Sequence, residues 1–133
     1  MNNIDLMNYW IESSEEDYNV MQVLYSNKKN SWCLFLGHLV IEKLLKAVYA
    51  KNNKSTPHAP RSHDLLYLTE KIGLNLTERQ EKLLNIITKF NMSARYDDYK
   101  KEFQNKCTEE YTFEQIQNIE EVRLWLKNLL TIE

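Results

Sequence analysis

The chain has 133 residues, of which 43% are hydrophobic, and its 17 basic and 19 acidic residues give a formal net charge of −2 at pH 7. This length suits one domain with a single core, so we expect one domain over residues 1–133. The charge balance excludes a positive electrostatic field over the whole protein that would attract nucleic acid, so only a local basic site is possible. The chain has only two glycines, which are too few for a Gly-rich phosphate-binding loop.

The first part of the chain predicts two long helices. Over residues 5–28, apolar residues recur at helical spacing among acidic and amide side chains, which indicates an amphipathic helix. Ser31 is placed as the N-cap of a second helix, over residues 32–51, that is apolar on nearly every side. Because such a helix belongs in the middle of a bundle or at a subunit interface, we expect a homodimer whose interface includes part of it.

A loop and a short helix follow. Residues 52–61 contain both prolines and show no apolar periodicity, which indicates the loop. Ser62 is placed to cap a short third helix that ends at Gly73.

Two further helices are marked by capping boxes, in which a hydroxyl residue precedes a glutamine by three positions. Thr77 with Gln80 marks the start of a fourth helix, and Thr112 with Gln115 marks the start of the last one. Residues 90–112 between them form the one long connection. The sequence therefore predicts an all-α fold, an antiparallel up-and-down bundle of four long helices and one short helix.

That long connection contains the stretch FNMSARYDDYK at residues 90–100, which concentrates planar and charged side chains. Arg95 offers a rigid fork suited to a carboxylate or phosphate, and Asp97 is placed to orient the guanidinium. Tyr96 and Tyr99 offer ring faces for stacking and hydroxyls for hydrogen bonds. The alternative is that an Arg–Asp pair only fixes the connection against the bundle.

A polar stripe interrupts the second helix. His38, Glu42 and Lys46 recur every four residues and therefore share one face of a helix that tolerates unpaired polar groups poorly. One interpretation is an internal polar network. The other is a nucleotide or anion site at a dimer interface, which Lys43 would join from the adjacent face.

The stretch RSHDL, at residues 61–65, precedes the third helix. Arg61 and His63 lie where a helix N-terminus presents free N–H groups, so they are candidates for holding an anion. The alternative is structural, with His63 fixing the loop and Asp64 complementing the helix dipole. His58 and His63 lack further ligands at any usual metal spacing, so we expect neither a metal nor a cofactor.

The cysteine spacing and the hydropathy of the chain indicate in which cellular compartment the protein is expected. Cys33 and Cys107 lie far apart in the sequence and do not form a Cys-x-x-Cys motif, so we expect free structural thiols. The first residues, MNNIDLMNYW, lack a basic leader, and no segment approaches the roughly 20 apolar residues of a membrane span. We therefore expect a cytoplasmic protein that does not associate with a membrane.

Three stretches taken together, LFLGHLVIEKLLKAVYA, SHDLLYL and FNMSARYDDYK, resemble the HEPN (higher eukaryotes and prokaryotes nucleotide-binding) domain family over nearly the whole chain. The resemblance implies an antiparallel helical bundle, commonly homodimeric, that often works with a minimal nucleotidyltransferase in toxin–antitoxin-like pairs. It also implies a site at an Ala-Arg-Tyr-Pro-Asp type signature, which is matched by Ala94, Arg95, Tyr96 and Asp98, with Asp97 in place of the usual proline.

Relatives that act as metal-independent ribonucleases carry an arginine followed after four to six residues by a histidine. No histidine follows Arg95 at that spacing, and Arg61 and His63 are too close together. We therefore expect a nucleotide- or RNA-binding HEPN protein with a nucleotidyltransferase partner. The alternatives are a ribonuclease toxin with a variant site that uses His38 or His63, and a purely structural dimerisation module.

Overall fold

The computed structural model describes residues 1–131, and within them the chain forms six helices and no strand. The helices are α1 (Asn3–Ser26), α2 (Asn30–Asn52), α3 (Leu65–Ile72), α4 (Glu78–Arg95), α5 (Asp97–Lys106) and α6 (Glu109–Thr131). The predicted all-α bundle is confirmed, and α1, α2, α4 and α6 are its four long helices. The predicted domain runs to residue 133, so residues 132 and 133 lie outside the described part. No helix within residues 1–131 is long and apolar enough to cross a membrane.

Helix α2 lies at the centre of the bundle and packs against each of the other five helices. Its buried residues occur all around its circumference, from Cys33 near its start to Ala50 near its end. Neighbouring helices of the same chain therefore account for its apolar character, and this character does not require a second copy. The homodimer remains a prediction.

Helix α2 comes close to α6 at Gly37. A Cβ placed there would overlap Ile119 Cδ1 on α6 and would lie 3.4 Å from the Met21 sulfur on α1. The absent side chain therefore lets three helices meet at one level of the core.

Helices α1 and α6 are also joined by one arginine. Arg123 Nη1 lies 2.8 Å from Glu120 Oε1, and its Nη2 lies 3.0 Å from Glu15 Oε2 on α1. The guanidinium carbon is 3.7 Å from the centroid of the Tyr18 ring, and the Tyr18 hydroxyl donates to Glu120 Oε2 at 2.8 Å. Ion pairs and a stacked ring therefore link α1 to α6.

Two of the predicted helix boundaries are confirmed. The Thr77 hydroxyl accepts from the Gln80 amide, and the Gln80 side chain accepts from the Thr77 amide, which completes the capping box of α4. Gly73 ends α3 in the left-handed conformation with φ 86°, a region in which glycine carries no Cβ penalty.

Three predicted caps are wrong by two to four residues. Ser31 lies inside α2, which follows Lys29 and has no side-chain cap. Asp64, rather than Ser62, caps α3, and the Ser62 hydroxyl accepts from the Asp64 amide instead. Thr112 is fully buried inside α6. The hydroxyl of Thr108 performs the capping role, because it accepts from the Tyr111 amide at 3.2 Å.

The long connection predicted over residues 90–112 is largely helical. Helix α4 continues to Arg95, Tyr96 has an extended backbone (φ −92°, ψ 129°), and α5 then begins at Asp97 and ends at Lys106. Helix α5 buries only Phe103, so it carries too few apolar residues to show a helical period in the sequence. The bundle thus has two short helices instead of one.

Candidate functional site

A chain of hydrogen bonds runs from α2 through the loop before α3 to α4. Its central group is the carboxylate of Glu42, a residue that is 3% exposed. Glu42 Oε2 accepts from Lys46 Nζ at 3.1 Å, and Oε1 accepts from His63 Nδ1 at 2.7 Å. An ammonium and an imidazole therefore satisfy a carboxylate that would be costly to bury alone.

The partner of His63 Nδ1 fixes the tautomer of this ring. A carboxylate only accepts hydrogen bonds, so the Nδ1 of His63 carries a proton. In the neutral imidazole, Nε2 then has the lone pair, and no hydrogen bond occupies Nε2 among the described residues. The side chain of His63 is 58% exposed, so this lone pair is available to a ligand.

His38 lies beneath this pair and is fully buried. Its Nε2 donates to the backbone carbonyl of His63 at 2.8 Å, and its Nδ1 accepts from Asn91 Nδ2 at 3.5 Å. Burial lowers the pKa of His38 below its ordinary value of 6.5; the hydrogen bond to the His63 backbone and the charge of Glu42 oppose that shift only in part. His38 is therefore a neutral group that holds the loop against α2.

Asn91 extends the network to the surface. Its Oδ1 accepts from Arg95 Nη1 at 3.2 Å, one helical turn further along α4. Arg95 is exposed, and its guanidinium carbon lies 5.8 Å from the centroid of the Tyr96 ring. The network therefore connects two exposed groups, the imidazole of His63 and the guanidinium of Arg95, through buried side chains.

The structure brings five of the sequence-predicted residues into this network: His38, Glu42, Lys46, His63 and Arg95. The predicted internal network on α2 and the predicted site around His63 are thus one assembly. The polar side chains of α2 form the buried part of this assembly, and His63 forms its exposed part. Lys46 also lies 4.9 Å from the centroid of the Trp10 ring, which ties α1 to the assembly.

Other candidates lie outside the network. Lys43 forms an ion pair with Asp17 of α1 at 2.6 Å and does not reach Glu42. Arg61 is exposed in the loop and has no ion pair among the described residues. Tyr96 is 54% exposed and touches the network only through the guanidinium of Arg95.

The expected orientation of Arg95 by an aspartate is wrong. Within residues 1–131, Arg95 forms no ion pair with Asp97 or Asp98; its polar partner is Asn91. Both aspartates lie in the first turn of α5, where their charge complements the positive end of the helix dipole.

Asn91 is the residue of the network that the sequence interpretation missed. It lies four residues before Arg95, a spacing that makes two side chains neighbours on a helix. That relation is visible only if the helix is extended through residue 95, and the predicted fourth helix was marked by apolar residues only as far as Phe90.

The two cysteines do not belong to the site. Both are free and buried, and burial raises the pKa of Cys33 to about 12 and that of Cys107 to about 11. Thiols with such values are poor nucleophiles. In the described part of the chain, no group of three or more His, Cys, Asp or Glu side chains is arranged to hold a metal ion.

The bundle and its network define an all-α protein with a buried polar assembly that reaches the surface at an imidazole and a guanidinium. A family model described as HEPN domain matches residues 7–129, nearly the whole chain. The chain belongs to the HEPN domain family. No curated protein and no solved structure matches it significantly.

Proposed function

We propose that this HEPN protein binds a nucleotide or an RNA end at the surface between Arg95 and His63. The observation that carries the proposal is the hydrogen bond from Arg95 to Asn91, because Asn91 is itself held by the buried ring of His38. A guanidinium that is tied to the core at one nitrogen loses less conformational freedom when a phosphate arrives.

The chemistry of the exposed groups supports an anionic ligand with a ring. Nη1 is the only guanidinium nitrogen of Arg95 that donates within the described residues, so the remaining N–H groups are free for two parallel bonds to a phosphate. The half-exposed ring of Tyr96 lies beside the guanidinium and offers a face for stacking a base.

Calorimetric titration with ATP and with a short RNA tests this function. Arg95→Lys keeps the charge but removes the planar fork, so we expect binding to weaken by roughly 1–3 kcal/mol while the melting temperature stays near that of the wild type. Arg79→Lys is the matched control, because Arg79 pairs with Glu121 on a remote surface. Equal affinities in wild type and Arg95→Lys would refute the role of Arg95.

A second candidate, a ribonuclease with a variant site, is favoured by the pair of His63 and Glu42. A buried carboxylate orients the imidazole and leaves Nε2 exposed with its lone pair, an arrangement suited to general base catalysis. In this reaction Nε2 takes the proton of a ribose 2′-hydroxyl, and O2′ attacks the adjacent phosphorus. The 5′-oxygen leaves and takes a proton from the imidazolium or from water, which yields a 2′,3′-cyclic phosphate and a 5′-hydroxyl end.

Incubation of the pure protein with labelled cellular RNA, with and without EDTA, separates the two candidates. Cleavage that resists EDTA, yields 5′-hydroxyl ends and disappears in His63→Ala would support the ribonuclease. His58→Ala is the control, because His58 is exposed in the same loop and lies outside the network. Binding without cleavage would support the first proposal, and the absence of both would leave a structural dimerisation module.

We further propose that the protein is a homodimer that acts with a nucleotidyltransferase protein in a toxin–antitoxin-like pair. The resemblance to HEPN proteins of such pairs supports this proposal. Light scattering at micromolar concentration tests the dimer. Co-expression with any nucleotidyltransferase protein whose gene proves to lie beside this one, followed by copurification, tests the partner.

A further inference from the structure

A second concave surface lies between α4, α5 and α6. This cleft has a volume of about 360 Å³, within the lower range of small-molecule sites. On α4 it is lined by Ile86, Phe90 and Ser93, which share one face at 3.6 residues per turn. Asn91 and Arg95 point from the opposite face of the same helix. The cleft is therefore separate from the site described above.

Aromatic side chains form the inner walls of the cleft. Phe90 and Phe103 are 2% and 6% exposed, and their ring centroids lie 5.8 Å apart at an angle of 34°. Tyr99 and Tyr111 are the other aromatic residues that line the cleft, and Tyr99 is 48% exposed. Phe90 and Phe103 pack against each other, so Tyr99 and Tyr111 present the aromatic surface that a flat ring in the cleft can contact.

Charged groups stand at the mouth. Lys89 of α4 and Lys106 of α5 line the cleft and are exposed, and neither forms an ion pair among the described residues. Lys106 lies 5.3 Å from the centroid of the Tyr111 ring, which holds its ammonium near the opening. Glu102 is the one carboxylate of the lining. Two ammonium groups against one carboxylate leave a local positive charge in a chain that is negative overall.

One buried polar group in the lining has unused hydrogen-bonding capacity. Gln115 of α6 is 6% exposed, and its Oε1 accepts from Asn118 Nδ2 at 3.2 Å. Its amide nitrogen donates no hydrogen bond within residues 1–131. Because Gln115 lines the cleft, this N–H donor is available to an acceptor that enters the cleft.

We propose that this cleft is a second binding site, which takes a mononucleotide with its base against the rings of Tyr99 and Tyr111 and its phosphate at Lys89 and Lys106. The Gln115 amide nitrogen then donates to an acceptor on the base. A purely apolar ligand would leave this amide and both ammonium groups unused, and inorganic phosphate would leave the aromatic walls uncovered. The cleft therefore combines features that a base and a phosphate use together.

Calorimetric titration of the full chain with adenosine 5′-monophosphate, adenosine and inorganic phosphate tests the site. We expect the monophosphate to bind. The double variant Lys89→Met, Lys106→Met should weaken its affinity about tenfold, because each substitution removes a charged partner of the phosphate. Gln115→Leu, which keeps the volume of a buried side chain, should weaken adenosine and the monophosphate by similar factors. Adenosine alone should bind more weakly than the monophosphate, and phosphate alone more weakly than both.

Two controls separate this site from the Arg95 surface. Lys101→Met removes a lysine of α5 that does not line the cleft, and it should leave the affinity unchanged. A monophosphate that also binds at the Arg95 surface gives two binding events, of which Arg95→Lys should weaken one and leave the event that depends on Lys89 and Lys106. Monophosphate binding that is lost in Arg95→Lys but kept in the cleft variants would overturn the proposal and support the Arg95 surface alone. No binding up to millimolar concentration would overturn it as well.

Discussion

The imidazole of His63 and the carboxylate of Glu42 are joined by a hydrogen bond of 2.7 Å that links an exposed ring to the centre of the bundle. Lys46 binds the other carboxylate oxygen, so the buried charge has one partner on its own helix and one on the loop. The loop is therefore held against α2 by polar contacts, from His63 Nδ1 to Glu42 and from His38 to the His63 carbonyl.

Glu42→Gln should destabilise the fold. The substitution replaces one accepting oxygen by an NH₂ group, which then faces either the Lys46 ammonium or the Nδ1–H of His63. We expect the free energy of unfolding to fall by roughly 1–3 kcal/mol, because a buried donor loses its partner. Urea unfolding at pH 7 measures the change. Glu121→Gln, at the exposed pair with Arg79, is the control and should have a smaller effect.

His38→Ala should lower stability more than it lowers any ligand affinity. The ring is fully buried, and its removal leaves a cavity and strips the His63 carbonyl and the Asn91 amide of their partner. We expect a loss of about 2–4 kcal/mol in urea unfolding. The exposed His58→Ala is the matched control. Unchanged melting of His38→Ala together with abolished binding or RNA cleavage would reverse this ranking.

The pH dependence of stability follows from the same ring. Because the folded-state pKa of His38 is lowered from 6.5, the unfolded chain binds the proton more readily. The contribution of His38 to the free energy of unfolding is therefore fully present above about pH 6.5 and is lost as the pH falls toward the lower folded-state pKa. The charged or titratable groups around the ring are Glu42, Lys46 and His63.

Melting curves between pH 8 and pH 5 check this dependence. His38→Gln keeps the surrounding charged groups but removes the titrating ring, so it should melt at a temperature that changes less with pH than that of the wild type. Parallel curves for the two proteins would show that the pH dependence arises elsewhere.

The long helices could be predicted from the sequence because their apolar periods and caps are local signals, as Thr77 and Gln80 illustrate. Helix α5 could not, because it rests on the bundle through Phe103 and little else. The contact between His63 and Glu42 could not be predicted from the sequence either. It depends on the path of a loop with no regular hydrogen bonding, and on the contact of its own carbonyl with His38.

Gly37→Ala should destabilise the bundle at the crossing of α2 and α6. A methyl group would overlap Ile119 Cδ1, and overpacking of this kind costs about 1–3 kcal/mol, against a gain of roughly 1 kcal/mol in helix propensity. Ile119→Val removes the overlapping methyl, so the double variant should recover part of the loss. A double-mutant cycle in urea tests this coupling, and additive effects would show that the two positions do not interact.

The last prediction concerns Asn91, which we expect to position Arg95 without touching the ligand. Asn91→Leu keeps a side chain of similar size but removes the bonds to both His38 and Arg95. The guanidinium then has to be ordered by the ligand itself, so affinity for a short RNA should fall by about 0.5–1.5 kcal/mol. A structural role alone would lower the melting temperature whether or not Arg95 is present. The discriminating measurement is therefore the affinity in an Arg95→Ala background, where Asn91→Leu should have no further effect. A further loss of affinity there would show that Asn91 acts on the ligand by another route, and an unchanged affinity of the single variant would show that Arg95 needs no positioning.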